Sequence, residues 1–176
     1  MFFAAPILLS AQKIFSRNAN VNFDATNSSS VEDIKAKTST GTIVVDEASG
    51  AVEAAVLMKS FQFEKALMGE HFNENYVESS KYPKAVFKGK LADPTAVKFN
   101  KDGTYKINVT GNLTIHGNTR AVTAPTVFTV KDGKVSATTD FTVALADFNI
   151  DIPSLVADKV AKEVKITFGG VLEAMK

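Results

Sequence analysis

Tyr105-Lys106-Ile107-Asn108-Val109-Thr110-Gly111-Asn112-Leu113-Thr114-Ile115-His116 is the stretch that decides the fold. Tyr105, Ile107, Val109, Leu113 and Ile115 alternate with Lys106, Asn108, Thr110, Asn112, Thr114 and His116. Successive side chains of a strand point to opposite faces, so this period of two predicts a long strand with one apolar and one polar face. Gly111 stands where an apolar residue is due. It predicts a bend, a bulge or the close approach of something large. Gly117 and Asn118 then supply a turn.

Working outward, the same rhythm recurs. Residues 120–130 predict the next strand, with Pro125 marking an edge or a bulge. Lys131-Asp132-Gly133-Lys134 has hairpin chemistry. Val135, Ala137, Thr139, Phe141, Val143 and Leu145 alternate with Ser136, Thr138, Asp140 and Thr142, and residues 163–172 give a last strand. Upstream, residues 85–91 read as a strand, Asp93-Pro94 breaks the chain, and Asn100-Lys101-Asp102-Gly103 forms a hairpin-type turn. Residues 13–17, 20–25, 31–37, 42–45 and 51–58 predict shorter strands. The period changes at Phe63, Ala66, Leu67, Met68 and Phe72, whose spacing predicts a helix over residues 64–78, with Gly69 allowing a break into two. Pro83 ends that region. About eight hairpin-connected strands with no βαβ rhythm predict an antiparallel barrel, which also removes exposed edges.

Composition narrows the function. One domain is expected of 176 residues, and a net charge of +1 argues against a nucleic-acid partner. The absence of Cys excludes disulfides, thiolate metal sites, a catalytic thiol and a lipoprotein anchor. Phe is abundant at 13 while Trp is absent, and such rings suit a core or a ligand cavity. Residues 2–9 form an apolar run followed by Ser10 and Ala11. It is read as a secretory signal over residues 1–12, cleaved near Ala11 or Gln12, ahead of a domain spanning 13–176. No segment is long and apolar enough to predict an integral membrane span.

Several segments resemble the YceI-like family. Leu113-Thr114-Ile115-His116-Gly117 followed by Thr119-Arg120 is similar to its L-T-I-H-G-x-T-R/K signature. His71-Phe72 and Lys81-Tyr82-Pro83-Lys84-Ala85-Val86-Phe87 resemble a second segment, and Phe148-Asn149-Ile150-Asp151-Ile152-Pro153 a third. The resemblance covers residues 13–172. It implies an extended lipocalin-like antiparallel β-barrel with a helix beside it, in a bacterial protein that is periplasmic or secreted. It also implies a polyisoprenoid or similar amphiphilic lipid, an isoprenoid quinone among the candidates, held in the barrel. The chain departs from the family at Arg17-Asn18-Ala19-Asn20, where many members carry a His. It also lacks an Arg-Asp pair near Phe63-Glu64-Lys65.

A barrel of this size either fills its interior or holds one ligand. The expected apolar lining is Phe61, Phe63, Leu67, Met68, Phe72, Phe87, Leu113, Phe128, Phe141 and Phe148; packing of these side chains only against one another is the alternative. His116 and Arg120 flank the turn and are candidate headgroup contacts, or else partners of turn backbone and of a carboxylate. His71 and Glu74 have helical spacing but too few companions for a transition-metal site. Residues 147–151 imitate a calcium loop, yet Ile152 occupies the position that needs Gly, and strand alternation explains the pattern instead. No phosphate loop or nucleophile elbow is present. The reading is therefore non-catalytic lipid binding, transport or storage, with no cofactor and no metal, and with a homodimer left open. Its rivals are a filled-barrel interaction domain and an enzyme built on His116 or His71.

Overall fold

The computed structural model describes residues 12–176; the expected secretory signal lies almost wholly outside the described residues. Among the described residues nine strands run in the order β1 (Lys13–Thr26), β2 (Lys35–Asp46), β3 (Ala51–Leu57), β4 (Gln62–Phe63), β5 (Lys84–Leu91), β6 (Gly103–Ile115), β7 (Asn118–Lys131), β8 (Lys134–Ala144) and β9 (Val160–Ala174). All pairings are antiparallel. The sheet order β1-β9-β8-β7-β6-β5-β3-β2 closes through β1 onto β2, and the two-residue β4 adds to β2 at Ala36 and Lys37. The result is a closed eight-stranded antiparallel barrel with one extra strand.

The stretch that opened the analysis is β6. It pairs in unbroken register with β7 from Gly103↔Val130 to Ile115↔Asn118. The turn between them is tighter than predicted: it consists of His116 and Gly117, both at positive φ (51° and 70°), the conformation of a two-residue type I′ hairpin. On the other side Gly111 sits opposite Gly89 of β5. A Cβ at Gly111 would overlap the Lys88 carbonyl oxygen and Gly89 Cα, so the two backbones press together here. The expectation of a close approach is the one that holds.

Residues 13–17 and 20–25 are not two strands but one. Ile14 and Ser16 are buried, then Ala19, Val21, Phe23 and Ala25, so the inward phase flips between them. Register shifts between Ser16 and Val21 mark the bulge responsible. β2 flips opposite it, burying Ala36 and Thr38 and then Gly41, Ile43 and Val45, which is why 31–37 and 42–45 read as separate strands. A phase flip destroys the period-two signal without interrupting the ladder.

The helix is shorter than predicted. Phe63 belongs to β4, α1 covers only Ala66–His71, and Phe72–Tyr76 forms a wider π-helical turn. Residues 147–151 are not a strand either. Leu145–Phe148 is a 3₁₀ turn and Asn149 is left-handed (φ 51°), which folds Phe148 and Ile150 back into the core. Buried side chains form two clusters. One centres on Phe23, Phe61, Leu113 and Phe148, the other on Val45, Leu91, Val109 and Phe128, and Phe87 and Phe168 pack against both.

Candidate functional site

The inward faces of the barrel do not fill its interior. They enclose a cavity of about 190 Å³. Phe61, Phe72, Phe87, Leu113, Phe128, Phe141 and Phe148 line it, as do Val21, Phe23, Val77, Ala85, Ile115, Val122, Ala124, Leu145, Ile150, Ile166 and Phe168. The polar side chains in the wall are all threonines: Thr126, Thr138 and Thr139. The small residues Ala85, Ala124 and Ala137 are buried on the inner face and leave the space that larger side chains would occupy.

Phe63, Leu67 and Met68 do not line the cavity. Phe63 stands one layer out, its ring 5.5 Å from Phe23 and 5.1 Å from Phe72. Leu67 is 60% exposed, and α1 buries none of its residues fully. The apparent apolar stripe ran from a strand residue into a helix, so Phe63 and Leu67 never shared one helical face. The wall residues missed from the sequence are mostly Val, Ile and Ala. The alternation of β1, β7 and β9 carried that signal, but the Phe surplus drew attention away from it.

His116 is held by two acceptors. Its Nδ1 donates to the Phe148 carbonyl at 3.1 Å, and its Nε2 lies 2.5 Å from Glu78 Oε2. A neutral imidazole can donate to only one of these, an imidazolium to both. Asn118 Nδ2 also donates to the Phe148 carbonyl (3.0 Å) and to the His116 carbonyl (2.7 Å). The Tyr82 ring packs edge-on against His116 at 4.9 Å. This knot joins the segment after α1, the β6–β7 hairpin and the 3₁₀ turn before β9. His116 thus meets the backbone of the 3₁₀ turn and the Glu78 carboxylate. Glu78 itself has φ 46°, a backbone state that no sequence pattern announced. Both ring nitrogens are engaged. Arg120 is exposed, donates to the Thr119 carbonyl at 2.9 Å, and lines an outer groove. His71 sits on α1, its Nδ1 3.0 Å from the Asn75 amide.

The knot has an acid limit. Its hydrogen bond to His116 holds the Glu78 carboxyl below the usual carboxylate range. A lowered folded-state pKa stabilises the fold above the unfolded value of about 4.3, and that contribution is lost as pH falls through the folded value. Glu78→Gln is therefore expected to unfold more easily than the parent at pH 7. The difference should shrink as the pH falls through the lowered folded-state value. Urea unfolding at pH 7 and over a descending acid series measures this, and a difference that does not shrink in acid would break the assignment.

No helix among the described residues is long and apolar enough to cross a membrane. Residues 13–172 match the family model for the YceI-like domain. No curated protein matches the chain. Among solved structures, a polyisoprenoid binding domain from Saccharophagus degradans implicated in plant cell wall breakdown superposes with a TM-score of 0.79 at 13% identity. That match covers 94% of this chain and 100% of that one. BcnA of Burkholderia cenocepacia gives 0.70 at 19% identity, covering 88% and 96%, and a Campylobacter jejuni YceI protein 0.57 at 16%, covering 100% and 92%. At these identities the likeness is one of fold.

Proposed function

The chain belongs to the YceI-like family, and from that premise we propose that it binds, carries or stores a polyisoprenoid-like lipid in its barrel without catalysing a reaction. The observation that carries the reading is the cavity. Its wall is apolar apart from three threonines, so it has little to offer a charged or strongly hydrogen-bonding molecule. Each CH₂ moved from water into such a space contributes about 0.8 kcal/mol, so a tail binds without polar help. The polyisoprenoid-binding relative from Saccharophagus degradans supports the same ligand class. A non-catalytic role is supported by His116, whose two nitrogens are engaged by Glu78 and the Phe148 carbonyl. The bacterial, periplasmic or secreted setting belongs to the same proposal.

Protein purified from a bacterial host and extracted with organic solvent is expected to yield a prenyl lipid in near-stoichiometric amount by mass spectrometry. Addition of an isoprenoid quinone to delipidated protein should raise the melting temperature. At a hundredfold excess over Kd the stabilisation is about 2.7 kcal/mol, or roughly 5–10 °C for a domain of this size. No extracted lipid together with no thermal shift would leave the filled-barrel interaction domain as the better reading.

A further inference from the structure

Between β7 and β8 the ladder stops short of the ends of both strands and leaves a seam. β7 and β8 pair from Lys131↔Lys134 only as far as Thr126↔Thr139. Beyond that, residues 118–125 pair with β6 alone and residues 140–144 with β9 alone. Both ends of the seam are fastened. Thr139 Oγ1 donates to the Pro125 carbonyl at 2.9 Å at one end, and Asn118 and His116 hold the Phe148 carbonyl at the other. Between them lies a groove of about 460 Å³ reaching from Arg120 to Pro125 on one bank and from Asp140 to Ala144 on the other. Val122, Phe141, Val143 and Phe148 line both this groove and the inner cavity. A single layer of side chains therefore separates the groove from the lipid space.

Size makes the connection necessary. A cavity of about 150 Å³ takes one benzene, so the inner space alone holds only a short piece of a prenyl tail. We propose that the β7–β8 seam is a lateral portal. A single prenyl-type tail passes through it edgewise, and its polar end rests in the groove. Five facing positions, 121–125 against 140–144, at about 3.3 Å each make a slit of roughly 16 Å, enough for an extended stretch of tail. The groove carries one cation, Arg120, against two carboxylates, Asp140 and Asp147, which suits a neutral hydroxyl or carbonyl headgroup better than a phosphate. The portal rests on the reading of the cavity as a lipid site.

The test uses the absence of native cysteine. Continuing the β7–β8 register sets Thr123 opposite Thr142, so Thr123→Cys with Thr142→Cys can be joined across the seam by a short bifunctional thiol reagent. Thr129→Cys with Ser136→Cys, paired positions in the laddered half, is the control. The probe is a neutral dansyl-amide geranylgeranyl conjugate, and the readout is its exchange rate against unlabelled geranylgeraniol. Bridging the seam should slow exchange at least tenfold, while bridging the control pair leaves it unchanged. In a separate protein, Phe141→Ala removes a half-buried ring from the seam and should speed exchange. Exchange at the parent rate in both the bridged seam and Phe141→Ala overturns the portal and leaves the lipid site intact. A parent protein that takes up neither prenyl compound overturns the lipid reading, and the portal with it.

Discussion

Gly111→Ala is expected to destabilise the protein by about 3 kcal/mol or more, the upper end for overpacking a close-packed site. For a domain of this length that corresponds to a fall in melting temperature of roughly 6–12 °C. The reason is local and rigid. The new methyl would meet the Lys88 carbonyl oxygen and Gly89 Cα, which are backbone atoms of a paired strand and cannot rotate away. From the other side a Cβ on Gly89 would overlap the Thr110 carbonyl oxygen and sit 2.6 Å from Cζ of Phe87. The Phe87 ring therefore lies across the glycine pair, and it is one of two side chains that touch both buried clusters. Forcing β5 and β6 apart at this point would also shift a cavity wall. Gly133→Ala is the comparison, since a methyl there meets nothing within 4 Å and costs only its φ of +78°, about 1–2 kcal/mol. Calorimetry of the two variants decides the matter. Equal losses would mean that the strands do not pack this closely at Gly111.

The contrast between these glycines shows which parts of the molecule a sequence can convey. β6, β7 and β8 were legible because their alternation is unbroken and their turns carry Gly at the left-handed positions 117 and 133. β1 and β2 read as fragments because facing phase flips near Ala19 and Gly41 erased the period while the hydrogen-bonded ladder continued. The helix was overdrawn because Phe63 happens to fall one helical turn before Leu67 although it lies in a strand.

The site was legible only in part, for a related reason. Burial of Phe61, Leu113 or Phe148 follows from apolar identity. Whether the enclosed space is full depends on summed volumes around a closed ring, in which small residues such as Ala85, Ala124 and Ala137 take part. The Glu78–His116 contact joins residues 38 apart through a backbone state at positive φ, and nothing local encodes it. The seam is quieter still. β8 alternates regularly along its whole length and β7 does so from Val122 onward, and Pro125, the residue expected to mark an edge, lies just beyond the last paired position.

Ala124→Phe should then separate stability from binding. Ala124 is buried on β7 opposite Val109 and lines the cavity. A cavity of about 150 Å³ takes one benzene, so a single added phenyl fills most of the 190 Å³ present. Two effects follow with opposite signs. Filling a void restores dispersion contacts that the wall now lacks, so the melting temperature should hold or rise by a few degrees, equivalent to about +0.5–2 kcal/mol. The same ring excludes the tail. Losing the burial of even three CH₂ groups removes about 2.4 kcal/mol of binding, roughly a fiftyfold loss of affinity. Titration of a fluorescent prenyl probe and a thermal melt on the same preparation read both quantities. A folded Ala124→Phe protein that binds as tightly as the parent would place the ligand outside the barrel. A variant that fails to fold is replaced by Ala124→Leu, whose smaller side chain should give the same opposite trends at reduced size.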